Sequence, residues 1–247
     1  MEVKIDILPG NIHSSEESDN FRRRQRRKKT DIDQAINQAA EKLIKEKGFS
    51  ETLVTDIMRE SGIEPPVFYK RYKNLDEFYA EFVKRYDYWF SDVIKNAMTG
   101  EDMMEDVYEM LSSLLTELSK ESPMLELLRW EIAENNDITN HTSRLREQHT
   151  LPLAGKYLSH YFGTDVDIVA WSSILISGIY YLCLHKDRSE FCGIDINNPK
   201  HVERVRQALK AIVEQLRWLM ERNTEKQIIA NKLRECGVGE DIIQKCV

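Results

Sequence analysis

The sequence predicts an all-α protein: an N-terminal three-helix helix–turn–helix domain followed by a larger C-terminal helical domain. Three observations carry this. Breakers are few, with only 10 Gly and 6 Pro in 247 residues, while hydrophobic residues make up 41% and charged residues 31%, a balance that favours helices. Apolar residues recur at helical spacing between those breakers, and no stretch alternates with the period of a strand. Glycines and prolines fall where helices would end and begin, among them Gly48, Gly62 and Pro65-Pro66.

Taken in order, residues 1–29 read as a flexible leader that mixes turn formers with acids and ends in a basic arm, Arg22, Arg23, Arg24, Gln25, Arg26, Arg27, Lys28 and Lys29. A first helix over 31–47 opens at Thr30 with Asp33 three residues on, carries Ile32, Ile36, Ala39, Ala40, Leu43 and Ile44 on one face, and stops at Gly48. A second covers 53–61, with Val54, Ile57 and Met58 inward and Gly62 closing it. Pro65-Pro66 starts a third, because a first-turn proline removes an amide that has no intrahelical partner; Phe68, Tyr69 and Tyr72 form its apolar side. Asn74, with Glu77 at the capping-box position, starts a connecting helix over 75–98 whose stripe is Phe78, Phe82, Tyr86, Trp89, Phe90, Val93 and Ile94. Further helices follow over 101–120, 123–135 (Ser122 as cap, Pro123 in the first turn), 137–161 with a kink at Pro152, 165–186 and 200–222. Residues 224–247 add a short helix through Leu233, a Gly237-Val238-Gly239 turn and a terminal fragment. The domains expected are a reader at 30–77, a helical body at 78–222 and a short helical tail at 223–247.

Charge is unevenly spread. The net charge is −7, yet residues 21–85 carry 16 Lys/Arg against 11 Asp/Glu, which suits a chain that meets nucleic acid at one end. The longest apolar run, Val169 to Leu184, is shorter than the ~20 residues of a membrane span and reads as a buried helix. No secretory signal opens the chain, and four cysteines lack CxxC spacing, so a reducing cytoplasm fits best. The histidines lack metal-ligand spacing, and no Gly-rich phosphate loop, nucleophile elbow or carboxylate pair occurs. No cofactor, no metal and no enzymatic activity are expected.

The stretch AAEKLIKEKGFSETLVTDIMRESGIEPPVFYKRYKNLDEFY, residues 39–79, resembles the TetR family of transcriptional repressors. The resemblance rests on Ala39-Ala40, Gly48-Phe49, Thr52 with Val54, Asp56-Ile57, Gly62-Ile63, Phe68-Tyr69, Tyr72, and the helix start from Asn74 to Phe78. It implies that residues 64–70 (Glu64, Pro65, Pro66, Val67, Tyr69 and Lys70 among them) face the major groove of an operator duplex. Tyr69 would touch the DNA backbone, and Thr55 and Lys73 would lie near phosphate, joined on charge by Arg71. Four positions depart from the family pattern. Glu64 stands where a small polar cap is usual, Pro65-Pro66 replaces a basic residue and glycine, and Leu75 replaces a frequent phosphate-binding lysine. Glutamate repels phosphate, although it can accept from the cytosine amino group. With base-reading groups sparse on this helix, the arginine-rich arm becomes the expected main source of affinity, with a steep dependence on salt.

The same resemblance implies that the body dimerises and binds a small-molecule effector. Helices 165–186 and 200–222 would form the two-fold seam through Ile174, Ile176, Ile179, Tyr180, Leu182, Val205, Leu209, Ile212, Leu216 and Leu219, with Ser173, Ser177 and Gly178 allowing close approach. Trp130, Tyr157, Tyr161, Trp171 and Tyr181 are the candidate pocket lining, with Glu131, His141, His149 and His185 as polar points. The function implied is a homodimeric repressor released from a palindromic double-stranded DNA operator by its effector, without contact to membranes. A second reading keeps the dimeric helical fold as an interaction or ligand-binding protein that has lost operator recognition.

Overall fold

The structure, a computed structural model, describes residues 28–120, 122–158 and 167–246. Arg22, Arg23, Arg24, Arg26, Arg27 and Tyr161 lie outside the described residues, and so does the side chain of Tyr157.

Helix α1 (Lys29–Glu51) buries Ile36, Ala39, Ala40, Leu43 and Ile44, and its regular turns stop at Gly48, where φ is 80°. That reversal swings Phe49 into the core. The N-terminal cap differs from expectation: the Asp31 carboxylate, rather than Asp33, accepts the Lys28 amide at 3.3 Å. Asp33 is engaged elsewhere, by Arg71 just beyond the third helix. Helix α2 (Val54–Ser61) ends at Gly62 with φ 62°, in the left-handed region that favours glycine. Helix α3 (Pro65–Tyr69) is short, and Lys70–Arg71 already form a turn. Of its expected apolar side, Phe68 is fully buried and Tyr72 half-buried, whereas Tyr69 points outward.

Helix α4 (Leu75–Phe82) is capped as the sequence predicts. The Asn74 side chain accepts the Glu77 amide at 2.8 Å, while the Glu77 carboxylate accepts the Lys73 amide at 2.6 Å. The connecting helix expected over 75–98 is not continuous. It tightens into a 3-10 turn at Val83–Tyr86, pauses at Asp87–Tyr88, and resumes as α5 (Trp89–Ala97). The Asp87 carbonyl accepts from His149 Nδ1 at 3.0 Å, while the Tyr88 carbonyl takes the Asp92 amide at 2.8 Å as the first helical bond of α5 and also accepts from the Ser91 hydroxyl at 2.9 Å. Side chains that take over backbone acceptors are a recognised cause of such breaks.

The body comprises α6 (Met103–Ser119), α7 (Pro123–Ala133), α8 (Asp137–Leu158), α9 (Ile168–His185), α10 (Pro199–Glu235) and α11 (Glu240–Cys246). Helix α6 is its axis, packed against α5, α9 and α10, while α8 bridges α5 and α7. Side-chain caps from Asp102, Ser122, Asp167 and Asn198 start α6, α7, α9 and α10. Helix α10 corrects the sequence reading: it runs through its 37 residues without the break expected after 222, a length of about 55 Å at 1.5 Å per residue. No breaker occurs between Pro199 and Gly237, so the segment 224–233 continues the helix. Gly237, with φ 78°, then turns the chain into α11. Among the described residues the one strand-like feature is an isolated bridge between Phe191 and Ile194.

Candidate nucleic-acid interface

The reader is a braced corner. Ile57 of α2 and Phe68 of α3 are fully buried with Ile36 and Ile44 of α1, so α3 is set by a small apolar core. The left-handed Gly62 lets the Ile63 amide donate back to the Met58 carbonyl at 3.0 Å, which fixes the angle between α2 and α3. Polar ties lock the periphery. Lys47 and Arg59 both hold the Asp56 carboxylate, and donation from Lys47 keeps that carboxyl below the usual range. Lys42 pairs with Glu60 at 2.6 Å. The buried Tyr79 hydroxyl lies 3.0 Å from the Phe49 and Thr52 carbonyls, and its burial pushes the phenol well above its ordinary pKa.

This scaffold leaves one strip facing solvent. Thr55, Glu64, Pro65, Pro66, Lys70 and Lys73 are exposed, Val67 is half-buried, and Tyr69 is 48% exposed. Lys28 and Lys29 are also exposed, at the start of α1. Arg71 behaves differently. Its Nε donates to Asp33 Oδ1 at 2.6 Å and its guanidinium to the Val67 carbonyl at 3.0 Å, which leaves its side chain 16% exposed. It ties α3 to α1, and the proximity of Asp33, second to burial, raises the pKa of Tyr72. No local sequence signal announces a pair 38 residues apart.

The start of α3 has a further consequence. Pro65 and Pro66 carry no amide hydrogen, and the next two amides, of Val67 and Phe68, both donate to the Glu64 carbonyl at 2.9 and 3.3 Å. The anion-binding capacity that helix N-termini usually offer is therefore closed here. Any phosphate must be met by side chains: the Tyr69 and Thr55 hydroxyls and the Lys70 and Lys73 ammonium groups.

In the body, the aromatic residues expected around an effector are dispersed. Trp130 stacks face to face on Phe49 at 4.7 Å, in the seam between reader and body. Trp171 and Tyr181 are exposed on α9. Among the polar points, Glu131 is gripped by Arg146 and Thr142, His149 bonds the Asp87 carbonyl, His185 lies 3.1 Å from the Ser189 carbonyl, and His141 is exposed. Helix α9 is apolar on nearly every side, yet Val169, Trp171, Ile174 and Tyr181 are bare. With α10 it frames an open apolar groove of about 910 Å³, walled by Ile174, Ile179, Tyr181, Val205, Leu209 and Ile212 among others. Of the predicted seam, Ile179, Leu209 and Leu216 are buried and Ile174 is exposed. Ile176, Tyr180, Leu182, Val205, Ile212 and Leu219 lie between these extremes. No group of His, Cys, Asp and Glu among the described residues could hold a metal ion, and no described helix is long and apolar enough to cross a membrane.

Residues 36–82 match the family model of bacterial regulatory proteins of the tetR family. The chain carries a TetR-family DNA-binding domain. No curated protein matches it. Solved structures with similar folds include a TetR-like transcriptional regulator from Rhodococcus sp. RHA1, at 18% identity and a TM-score of 0.55 over 74% of this chain and 94% of that one. The fatty acid degradation regulator FadR from Bacillus halodurans is 18% identical, with a TM-score of 0.52 over 74% of this chain and 98% of that one. FadR from Bacillus subtilis, solved in complex with stearoyl-CoA, is 13% identical, with a TM-score of 0.54 over 75% of this chain and 97% of that one. At such identities the likeness is one of fold. The chain thus combines a segment that matches the tetR-family model with an all-α fold shared with TetR-family structures, and about a quarter of it lies outside each shared region.

Proposed function

We propose that this regulator works as a cytoplasmic homodimer that binds a palindromic double-stranded DNA operator, represses from it, and is released by a small-molecule effector bound in the body, without enzymatic activity of its own. The observation that carries the DNA-binding part is the exposed strip on a fully buttressed α3. Tyr69 sits beside the buried Phe68, so its hydroxyl is presented by a rigid element. In this reading Tyr69, Thr55, Lys70 and Lys73 meet phosphate, Lys28 and Lys29 continue the contact into the arginine arm, and Glu64, Pro65, Pro66 and Val67 form the tip in the major groove. Shape and deformability of the operator supply specificity that so few polar groups cannot. The bare face of α9 supports the homodimer, since a helix apolar all round is normally covered. The complex of Bacillus subtilis FadR, which shares this fold, with stearoyl-CoA supports a small-molecule effector.

The closed N-terminus of α3 favours the second reading, a dimeric interaction or ligand-binding protein without operator recognition. Selection of duplexes by the full-length protein from a random pool, followed by footprinting, separates the two. Repression predicts an enriched palindrome whose affinity falls steeply between about 50 and 200 mM salt, by a factor on the order of 10³ if six phosphates are neutralised. Tyr69→Ala should weaken that binding while leaving the melting curve unchanged. Failure to enrich any sequence over the random pool across this salt range would establish the second reading.

A further inference from the structure

Two mounts on different helices join the reader, and the connecting segment that leaves it, to the rest of the body. The first is on α7. Trp130 lies flat on Phe49, with rings 3° from parallel, and Glu134, at the end of α7, accepts from the Ser50 hydroxyl, which holds its carboxyl below the ordinary range. The second is on α8. His149 donates from Nδ1 to the Asp87 carbonyl at 3.0 Å and stacks on Tyr88 at 4.2 Å, where the connecting helix is interrupted. Each mount grips a place where regular helix has stopped, Gly48 on one side and Asp87–Tyr88 on the other, so each can tilt without breaking helical hydrogen bonds.

One ion pair joins the two supporting helices beside both mounts. Glu131 follows Trp130 on α7, and Arg146 precedes His149 by one turn of α8. The Arg146 guanidinium meets the Glu131 carboxylate as a two-pronged fork, at 2.5 and 2.9 Å, and the Thr142 hydroxyl donates to the same carboxylate at 2.7 Å. Among the described ion pairs it is the one with both side chains well inside, Arg146 at 15% and Glu131 at 8% exposure. A buried pair of this kind adds little net stability over apolar packing, but the planar fork accepts only a narrow range of angles.

We infer that the Arg146–Glu131 pair, steadied by Thr142, is a latch that holds α7 and α8 in one relative setting and so fixes the tilt of the reader on the body through both mounts. Arg146 and Glu131 are positioning residues. They touch neither the reader nor the strip proposed to meet DNA. A change in the body that spreads α7 from α8 reaches the reader at Phe49 and the connecting segment at Asp87 together. The mechanical claim stands on the geometry alone; only its effect on DNA affinity rests on the function proposed above.

Hydrogen exchange on the full-length protein tests the latch without any DNA. Glu131→Gln keeps shape and removes the charge. It should speed exchange of the amides around Phe49–Thr52 and Asp87–Phe90 by about tenfold or more, while the amides within α2 and those of α10 keep their rates. Arg146→Lys retains charge without the fork and should give an intermediate acceleration at the same two places. Thr142→Val, the mildest change, should shift both in the same direction by a smaller factor and serves if Glu131→Gln does not fold. Acceleration confined to α7 and α8, or spread evenly through the protein, would overturn the latch and leave an ordinary structural ion pair. A latch confirmed by exchange in a protein that selects no duplex would refute the operator reading and leave the mechanical inference intact.

Discussion

At the residue scale, Arg71 and its neighbours show how one contact redirects a side chain. Lys70, Arg71 and Lys73 form one cationic run in the sequence, yet Asp33 and the Val67 carbonyl draw Arg71 inward while Lys70 and Lys73 stay exposed. Arg71→Ala should therefore lower the unfolding free energy by about 1 kcal/mol, the scale of a partly screened, charge-assisted contact. Asp33→Ala should cost a similar amount, and the double variant should cost clearly less than the two together, because both remove the same interaction. Lys70→Ala should leave stability unchanged. Urea titration of the four variants checks this, and strict additivity would mean that Arg71 does not brace α3. Gly62 and Phe68 are legible from local rules, since a helix-ending glycine and helical apolar spacing each leave a mark within a few residues, whereas the same spacing groups Tyr69 with the apolar side and the structure turns it outward. The Asp33–Arg71 pair is not legible, because nothing in either neighbourhood encodes the partner.

Elements follow the same logic one level up. Helix starts that rest on a local cap or proline, at Asn74 and Ser122-Pro123, lie where the sequence places them, and α10 begins at Pro199, one residue before the expected 200. The interruption after Phe82 is not placed by the sequence, since the run from Phe78 to Ile94 keeps its helical apolar period, and the side chain that meets the break, His149, lies 62 residues from Asp87. The end of α10 went the other way: a polar stretch after Arg222 looks like a boundary, but it contains no breaker and the helix continues. The start of α6 shows what such long-range ties do. Asp102 caps α6 through the Met104 and Glu105 amides and also receives Arg217 of α10 at 2.8 and 3.1 Å. Arg217, followed by the Glu105 amide, lowers the carboxyl to about 2. A carboxylate whose folded pKa lies below its unfolded value of about 3.9 adds stability above that value and loses it as pH falls towards the folded pKa. Asp102→Asn should therefore reduce stability at pH 7 and flatten the decline between about pH 4 and pH 2. Urea midpoints at pH 7, 4 and 2.5 read this directly, and identical slopes in both proteins would exclude a contribution from Asp102.

At the scale of the whole molecule, the core runs unbroken from the reader through Phe49, Trp130 and α6 to the inner faces of α9 and α10, then stops at a surface that is itself apolar. Ile174 is 69% exposed on a helix whose other side is packed against α6, and the groove beside it is walled almost entirely by aliphatic and aromatic side chains. Water is an expensive neighbour for that much hydrocarbon, at about 25 cal/mol per Å², and a second copy presenting the same face can cover it by two-fold symmetry. A charge at the centre of such a seam must be desolvated without a partner. Ile174→Glu should leave the monomer folded, because the side chain already faces solvent, and should raise the dimer dissociation constant by at least a hundredfold. It should also weaken binding to a selected palindrome, since the two readers then lose the high effective concentration that a dimer gives them. Sedimentation velocity from 0.1 to 50 µM measures the first effect and titration of the duplex the second. A wild-type protein that remains monomeric across this range would remove the two-fold seam, whereas a dimer as tight in Ile174→Glu as in the wild type would move the seam to another face. Loss of dimer with unchanged affinity for the duplex would show that one reader suffices.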